Sequence, residues 1–280
     1  MDEMIFLENV CLRFGPAFSL DHISFCVKPG EVFGFLGPSG AGKTTTIKLL
    51  TRQLQKEEGT IRVLGKDISS VTREDYDRIG ILSDTNGLYE RMSIEENLLF
   101  FARIRNVSRQ EVDTILKRMN LSASRKTLIK KCSRGMRQRT VLAAAILHKP
   151  ELLFLDEPTS GLDPANIHEV HMMLQELNQS GTTIFLTTHN MEEADKLCNR
   201  IGILNEGKLI ITGSPEELKL AFAKDQIQVL TKAKELLTFS KDREGAEKIM
   251  ELIASGQCLT IHSQEPNLEE IFLQLTGRGL

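Results

Sequence analysis

The segment GPSGAGKTT, which begins at Gly37, contains the residue types that bind phosphate groups. It follows the apolar segment EVFGFL and fits the pattern G-x-x-x-x-G-K-[ST] through Gly42, Lys43 and Thr44. Glycines allow successive backbone N–H groups to turn towards phosphate oxygens, and the N-terminus of a following helix adds partial positive charge. We therefore expect a nucleotide here, with Lys43 reaching the β- and γ-phosphates and the Thr44 hydroxyl binding Mg²⁺.

A second apolar segment, LLFLDEP, ends in the acids Asp156 and Glu157. A buried strand delivers its terminal side chains to the carboxyl edge of a parallel sheet, where ligands bind in such folds. We expect Asp156 to hold Mg²⁺ and Glu157 to accept a proton from a water that attacks the γ-phosphate. His189 follows the next strand, in TTHN, and that strand should neighbour the acid-bearing one, so we expect the histidine to contact the γ-phosphate. Taken alone, a histidine at a strand end is more often a structural hydrogen-bond donor.

The segment CSRGMRQR, which begins at Cys132, precedes a predicted long helix through residues 141–147. A serine and a glycine at a helix start can form an anion site, here at Ser133 and Gly135. The alternative is an ordinary capped helix with Arg137 and Arg139 in solvent.

The elements around these motifs alternate between strand and helix, which favours an α/β layer with a mainly parallel sheet. Short apolar runs predict strands, and residues 93–148 are mostly helical in pattern, beginning with a Ser93–Glu96 capping box. A further helix is predicted to begin at Asp163 with Pro164 at its first position. Another helix is predicted to begin at Ser214, in SPEE. After about residue 218 the pattern changes to the short strands QIQVLT and QCLTIHS and two amphipathic helices, which predicts a small α+β appendage. The apolar stripes of these helices are Ala246, Ile249, Met250 and Ile253 in the first, and Leu268, Ile271, Phe272 and Leu275 in the second.

The composition limits the function classes. The formal net charge of −3 argues against a protein whose main function is to bind nucleic acid. No uncharged apolar run reaches about 18 residues, and the acidic N-terminus lacks signal-peptide character, so we expect a cytosolic protein. The five cysteines form no CxxC pair, so the sequence supports neither a zinc site nor a redox site.

The order of these motifs resembles the ATP-binding cassette of ABC transporters over roughly residues 4–218. In that family GPSGAGKTT corresponds to the Walker A loop and LLFLDEP to the Walker B strand. CSRGM is similar to the signature sequence LSGGQ: Ser133 and Gly135 match, while Cys132, Arg134 and Met136 depart from it. The resemblance implies a P-loop ABC ATPase core with a mainly parallel sheet and an N-terminal antiparallel β region. It also implies a helical subdomain at about 93–148, a nucleotide-binding domain at 1–218 and a C-terminal α+β extension at 219–280.

The resemblance also assigns site residues. Glu157 and His189 are the expected catalytic residues, and Thr44, Asp156 and Asp84 are the expected Mg²⁺ ligands. The expected ATP-binding residues are Phe14, Gly37, Pro38, Ser39, Gly40, Ala41, Gly42, Lys43, Thr44, Thr45, Ser133, Gly135 and Met136.

Two of these assignments have alternatives. Phe14 matches an aromatic that stacks on adenine, and its alternative is a core-facing strand side chain. Asp84 replaces a glutamine whose oxygen touches the Mg²⁺ site in the family; its alternative is a turn residue, with Asn86 supplying the oxygen.

The resemblance implies a head-to-tail dimer of cassettes in which each ATP lies between the Walker motifs of one chain and Ser133 and Gly135 of the other. A homodimer is the expected form. ATP hydrolysis would drive a membrane-spanning permease subunit on a separate chain, placing this chain on the inner face of the cell membrane. The ending EPNLEEIFLQLTGR is similar to C-terminal extensions of cassettes in bacterial exporters of antibiotics, peptides or ions, so we expect export. The alternatives are a soluble cassette ATPase acting on nucleic acid or the ribosome, and a nucleotide kinase with the P-loop fold.

Overall fold

The computed structural model describes residues 3–14, 17–83, 87–263 and 265–277. The strands of these ranges are β1 (Ile5–Phe14), β2 (Ala17–Val27), β3 (Val32–Leu36), β4 (Glu58–Val63), β5 (Lys66–Asp67), β6 (Ile79–Leu82), β7 (Leu152–Asp156), β8 (Thr183–Thr188), β9 (Arg200–Asn205), β10 (Lys208–Gly213), β11 (Gln226–Thr231), β12 (Leu236–Ser240) and β13 (Cys258–Ser263). The helices are α1 (Lys43–Leu50), α2 (Arg73–Tyr76), α3 (Ile94–Ile104), α4 (Arg109–Arg118), α5 (Arg134–Ile146), α6 (Pro164–Gln179), α7 (Met191–Leu197), α8 (Pro215–Ala221), α9 (Arg243–Ala254) and α10 (Leu268–Thr276).

The described residues divide into two compact units, 3–212 and 213–277. The assignment of 1–218 to a nucleotide-binding domain and of 219–280 to an extension stays a prediction, because compactness alone does not define a functional domain.

The first unit contains two sheets. The larger has the strand order β10-β9-β3-β8-β7-β6, and its strands from β9 to β6 run parallel. The smaller has the order β2-β1-β4-β5 and is antiparallel. The predicted α/β class, with a mainly parallel sheet and an N-terminal antiparallel region, is confirmed.

The core strands β3, β7 and β8 are buried along their whole length, which explains why their sequences are continuous apolar runs rather than alternating ones. Phenylalanines join the two sheets: Phe25 of β2 stacks on Phe33 of β3, with ring centroids 5.3 Å apart, and both lie near Phe185 of β8. This cluster packs the antiparallel sheet against the strands that carry the site.

Helices α3 to α5 lie between β6 and β7 in the chain. Helix α3 begins with the predicted capping box, in which Ser93 Oγ accepts from Glu96 N at 3.2 Å and Glu96 Oε2 accepts from Ser93 N at 2.7 Å. Arg125 then ties α3 to α4 by ion pairs with Glu95 and Asp113 at 2.7 and 2.6 Å.

The second unit has an antiparallel sheet in the order β12-β11-β13, covered by α9. Strands β11 and β13 were expected from the sequence, whereas β12 was not, because its run LLTFS is short and mixed in character. The predicted apolar stripe of α9 is only partly buried: Ile249 is buried, while Met250 and Ile253 are exposed. In α10, Leu268, Ile271 and Phe272 are buried as the pattern predicts.

Candidate active site

Four neighbouring parallel strands end at the same edge of the larger sheet. Strand β3 leads into the glycine-rich loop, β7 ends at Asp156, β8 leads to His189 and β6 leads to Ser83. The register sets Leu36 beside Thr188 and Asp156 beside Thr187. The carboxyl ends of parallel strands are where such sheets bind ligands, so the fold itself gathers the predicted motifs.

The glycine-rich loop needs glycine at its two ends. Gly42, the N-cap of α1, has φ +111°, and a Cβ there would lie 2.7 Å from Ser19 O. A Cβ on Gly37 would lie 2.2 Å from Leu204 O. Only glycine fits at both positions without moving backbone, and the loop is thereby held against β2 and β9 at the start of α1.

The buried side chain of Lys43 lies within this loop. Its Nζ donates to Gly37 O at 2.7 Å and to Pro38 O at 3.1 Å, and it lies 3.6 Å from Glu157 Oε1. Burial lowers the pKa of Lys43, whereas Glu157 and then Asp156 oppose that shift. The ammonium is thus already largely desolvated, and phosphate oxygens can replace its present oxygen partners.

Asp156 is buried and held by two threonine hydroxyls. Thr44 Oγ1 donates to its Oδ2 at 2.8 Å, and Thr187 Oγ1 donates to its Oδ1. The pairing of Thr44 with Asp156 brings together the two predicted Mg²⁺ ligands from separate motifs. Hydroxyl and carboxylate oxygens are the hard donors that Mg²⁺ prefers, so these residues fit that ion.

Glu157 follows Asp156 with a left-handed backbone, at φ +49°. Its N–H donates to Thr187 O at 3.1 Å and to Thr187 Oγ1 at 3.2 Å. Non-glycine residues rarely adopt this conformation, and such strain concentrates at functional sites. Here the turn directs the carboxylate towards Lys43 on one side and His189 on the other.

His189 Nδ1 lies 2.5 Å from Glu157 Oε2, and the imidazole is 54% exposed. The prediction that β8 neighbours the acid-bearing strand is correct, and that pairing brings the histidine to Glu157. A partly exposed imidazole on a half-buried carboxylate can orient that carboxylate and still reach a ligand.

The segment that resembles the signature sequence begins α5. Ser133 is its N-cap, with Oγ accepting from Met136 N at 3.2 Å. Gly135 lies close to Asn166 and Leu162, at the start of α6. The alternative of an ordinary capped helix placed Arg137 and Arg139 in solvent. Arg139 instead donates to Met119 O at 3.1 Å, and Arg137 pairs with Glu90 at 3.0 Å.

A cavity of about 510 Å³ opens over these groups. Its lining residues are Ser39, Gly40, Gly42, Lys43, Thr44, Thr45, Leu82, Ser83, Arg134, Arg137, Gln138, Asp156, Glu157 and Ser160. Cationic side chains in its wall can bind an anionic ligand, and anionic side chains in the same wall can bind a divalent cation that accompanies that ligand.

Phe14 ends β1 with 54% of its surface exposed, so it is not a core side chain, and its contact with adenine stays a prediction. Asp84 and its alternative, Asn86, lie outside the described residues.

Sequence reasoning missed the role of Thr187, which holds both Asp156 and Glu157. It also missed Arg134, Gln138 and Ser160 in the cavity wall. Gln138 Nε2 donates to Pro158 O at 2.8 Å and thus fixes the turn after Glu157. The strand register would have revealed Thr187, because it is the direct neighbour of Asp156.

Comparison with known proteins identifies the family. The profile described as ABC transporter matches residues 20–160. A fluoroquinolones export ATP-binding protein of Mycobacterium tuberculosis is 37% identical over 285 residues, covering 99% of this chain and 95% of that protein. The chain belongs to the ABC transporter family. Its resemblance to ATP-binding cassettes, inferred from the motifs, is therefore confirmed.

Two further ABC relatives match along their length. The linearmycin resistance ATP-binding protein of Bacillus subtilis is 34% identical and covers 99% of both chains. Nod factor export ATP-binding protein I of Sinorhizobium fredii is 34% identical, covering 100% of this chain and 88% of that protein.

Solved ABC structures confirm the cassette fold. An ATP binding subunit of an ABC transporter superposes with a TM-score of 0.71 at 26% identity, covering 78% of this chain and 93% of that one. The protein cbiO1 from Clostridium perfringens, part of an ABC transporter complex, gives a TM-score of 0.68 at 27% identity, covering 79% of this chain and 92% of that one.

This chain is thus an ATP-binding subunit of an ABC transporter and an ATPase. Within the described ranges, none of its helices combines the length and apolar character that crossing a bilayer requires.

Proposed function

We propose that this subunit hydrolyses Mg²⁺-bound ATP to power export through a separate membrane-spanning chain. The observation that carries the proposal is the arrangement of Glu157 between Lys43 and His189, beside the Thr44–Asp156 pair. Export is supported by relatives named for exporting fluoroquinolones and Nod factor. No described feature favours the alternative of an ATPase that acts on nucleic acid.

Each side chain has a separate role in hydrolysis. Glu157 accepts a proton from a water whose oxygen forms a bond to the γ-phosphorus, and the bond from that phosphorus to the bridging oxygen of ADP breaks. Lys43 stabilises the charge on the phosphate oxygens. His189 orients Glu157 and contacts the γ-phosphate.

Mg²⁺ would be held by Thr44 and Asp156, where it supplies charge neutralisation at the phosphates. We retain Asp84 as a candidate third oxygen ligand on the resemblance alone. Asp84→Asn should retain much of the ATPase activity, because an oxygen stays at the same reach, and Asp84→Ala should lose most of it. Wild-type activity in Asp84→Ala together with a loss in Asn86→Ala would transfer the role to Asn86.

We also propose a head-to-tail homodimer in which Ser133 and Gly135 bind the ATP held by the other copy. The support is the position of both residues at the N-terminus of α5, a helix of 13 residues whose first N–H groups favour anions. Met136 N already uses Ser133 Oγ as an acceptor, so the serine hydroxyl remains able to donate to a phosphate oxygen.

We infer that a groove of about 200 Å³ is the docking site for the membrane partner. Apolar side chains of α3 and α5 line it, among them Phe101 and Ala145, and Ser83 lines both this groove and the nucleotide cavity. Burial lowers the pKa of His148 in the groove, which keeps the imidazole neutral. An apolar helix end of the partner would fit here, with Ser83 and the strand end of β6 linking it to ATP.

Purification of the complex from membranes tests this function. The co-purifying spanning chain, reconstituted in vesicles with this subunit, should show ATP-dependent transport out of the cytoplasmic side. Phe101→Asp should release the partner while ATP binding persists, and Ile104→Asp, an exposed position on the same helix, should not. Retention of the partner by Phe101→Asp would overturn the groove assignment, and a soluble ATPase stimulated by nucleic acid would overturn the transport function.

A further inference from the structure

The antiparallel sheet of the first unit brings together three side chains that are distant in the sequence. A Sγ of Cys11, a ring nitrogen of His22 and a carboxylate oxygen of Glu58 all lie within 4.8 Å of one another. They belong to β1, β2 and β4, which are adjacent strands, and Cys11 is the register partner of Glu58. No part of the ATP site uses these residues.

The histidine of this cluster is already oriented by a carboxylate. His22 Nδ1 lies 2.6 Å from Asp21 Oδ1, and Lys208 Nζ lies 3.4 Å from the other oxygen of that carboxylate. In the tautomer in which Nδ1–H donates to Asp21, Nε2 has a free lone pair for a metal. Metal-binding histidines almost always carry such a carboxylate or carbonyl partner on the other nitrogen.

The cysteine sulfur also has a feature of metal thiolates. The backbone N–H of His22 donates to Cys11 Sγ at 3.3 Å. His22 adopts φ +52°, a left-handed conformation that is uncommon outside glycine and that aims this N–H. Cys11 Sγ also lies 3.9 Å from Asn9 O, and the thiol would lose its proton on binding a metal. Cys11 is buried, whereas His22 and Glu58 are exposed, so an ion can reach the cluster from solvent.

We propose that Cys11, His22 and Glu58 bind a Zn²⁺ ion, with water as the fourth ligand. One sulfur, one imidazole nitrogen and one carboxylate oxygen are a donor set that suits zinc and not Mg²⁺ or Ca²⁺. Zinc bonds of about 2.0–2.3 Å place tetrahedral ligand atoms roughly 3.3–3.8 Å apart. The ligand atoms of the cluster now lie up to 4.8 Å apart. Rotation of the exposed side chains of His22 and Glu58 can shorten these separations to the values that zinc requires. The ion would cross-link three strands of the sheet that packs on the ATP-binding core.

Equilibrium dialysis of the full chain against Zn²⁺ alone, without nucleotide, tests the site. Wild type should retain one Zn²⁺ that Glu58→Gln and His22→Asn lose; asparagine tolerates the left-handed backbone at position 22. Asp21→Asn should weaken binding about 10- to 100-fold, as expected for a partner that orients a metal ligand. His168→Asn, an exposed histidine on α6, is the matched control and should bind like wild type.

Co²⁺ as a second probe identifies the sulfur ligand. A thiolate bound to Co²⁺ gives an intense near-ultraviolet charge-transfer band, which ions held at Asp156, Glu157 and His189 cannot give, because no thiol is present there. The band should appear in wild type and Glu157→Gln, and should disappear in Cys11→Ser. Zinc binding that survives both Glu58→Gln and His22→Asn, or Co²⁺ binding without the band, would overturn the proposal.

Discussion

Thr187→Val tests whether the placement of Asp156 limits ATP hydrolysis. Valine has nearly the shape of threonine, so the fully buried site stays filled while the hydroxyl is lost. That hydroxyl donates to the Asp156 carboxylate and accepts from Glu157 N at 3.2 Å. The change therefore removes two hydrogen bonds from the two acids without opening a cavity.

The expected magnitude follows from these bonds. A hydrogen bond to a charged group contributes about 1.5–3 kcal/mol. The bond from Glu157 N costs little, because that N–H also donates to Thr187 O at 3.1 Å. Loss of the bond to Asp156 acts mainly on the position of that carboxylate. Because each 1.36 kcal/mol changes a rate tenfold, the turnover rate should fall about 10- to 100-fold.

The assay is ATP turnover as a function of Mg²⁺ concentration. Thr187→Val should lower kcat and raise the Mg²⁺ concentration needed for half-maximal activity, and Thr187→Ser, which keeps the hydroxyl, should restore both. The matched control is Thr183→Val on the same strand, where the hydroxyl accepts from Gly30 N at 2.9 Å. That variant should lose stability to urea but keep the Mg²⁺ dependence. Equal Mg²⁺ dependence in both valine variants would refute the reasoning.

Three further outcomes are expected. Lys43→Ala should abolish tight ATP binding and turnover, because a buried cation would be removed from the phosphates; normal turnover would contradict the loop assignment. Ser133→Arg should lower ATPase activity but leave ATP binding to the isolated monomer nearly intact, and a large loss of monomer affinity measured by fluorescence titration would place Ser133 in its own chain's site. The hydrogen bond from Lys66, and after it the hydrogen bond from Thr72, lowers the pKa of Asp75 from 3.8 to about 2. Asp75 should therefore stabilise the fold above pH 4 and lose that effect as the pH falls towards 2. Urea unfolding of Asp75→Asn and wild type should therefore differ at pH 7 and converge near pH 2, and a constant difference would contradict this.

The glycine-rich loop, the acid pair and His189 could be predicted because each is a short local pattern at the end of an apolar run. Such runs become buried parallel strands, and parallel strands end at one edge. The same logic predicted the α/β class and the caps at Ser93, Asp163 and Ser214, whose side chains accept from backbone N–H groups three residues later.

Features that depend on strand register could not be predicted from the sequence. Thr187 acts on Asp156 because β8 lies beside β7 in one particular alignment. Cys11 meets Glu58 only because β1 pairs with β4, and the absence of a CxxC pair argued against any zinc site. The exposure of Met250 and Ile253 was missed for a related reason: periodicity shows an apolar stripe, but packing decides whether anything covers it.

The central claim is that Glu157 is the general base for ATP hydrolysis, and Glu157→Gln tests it most directly. Glutamine keeps the shape and the reach to Lys43 and His189 but cannot accept a proton. ATP hydrolysis should slow by about 10²–10⁴-fold while ATP binding persists. ATP-bound dimers should accumulate in gel filtration. A Glu157→Gln variant that hydrolyses ATP at the wild-type rate and stays monomeric with ATP would contradict the account.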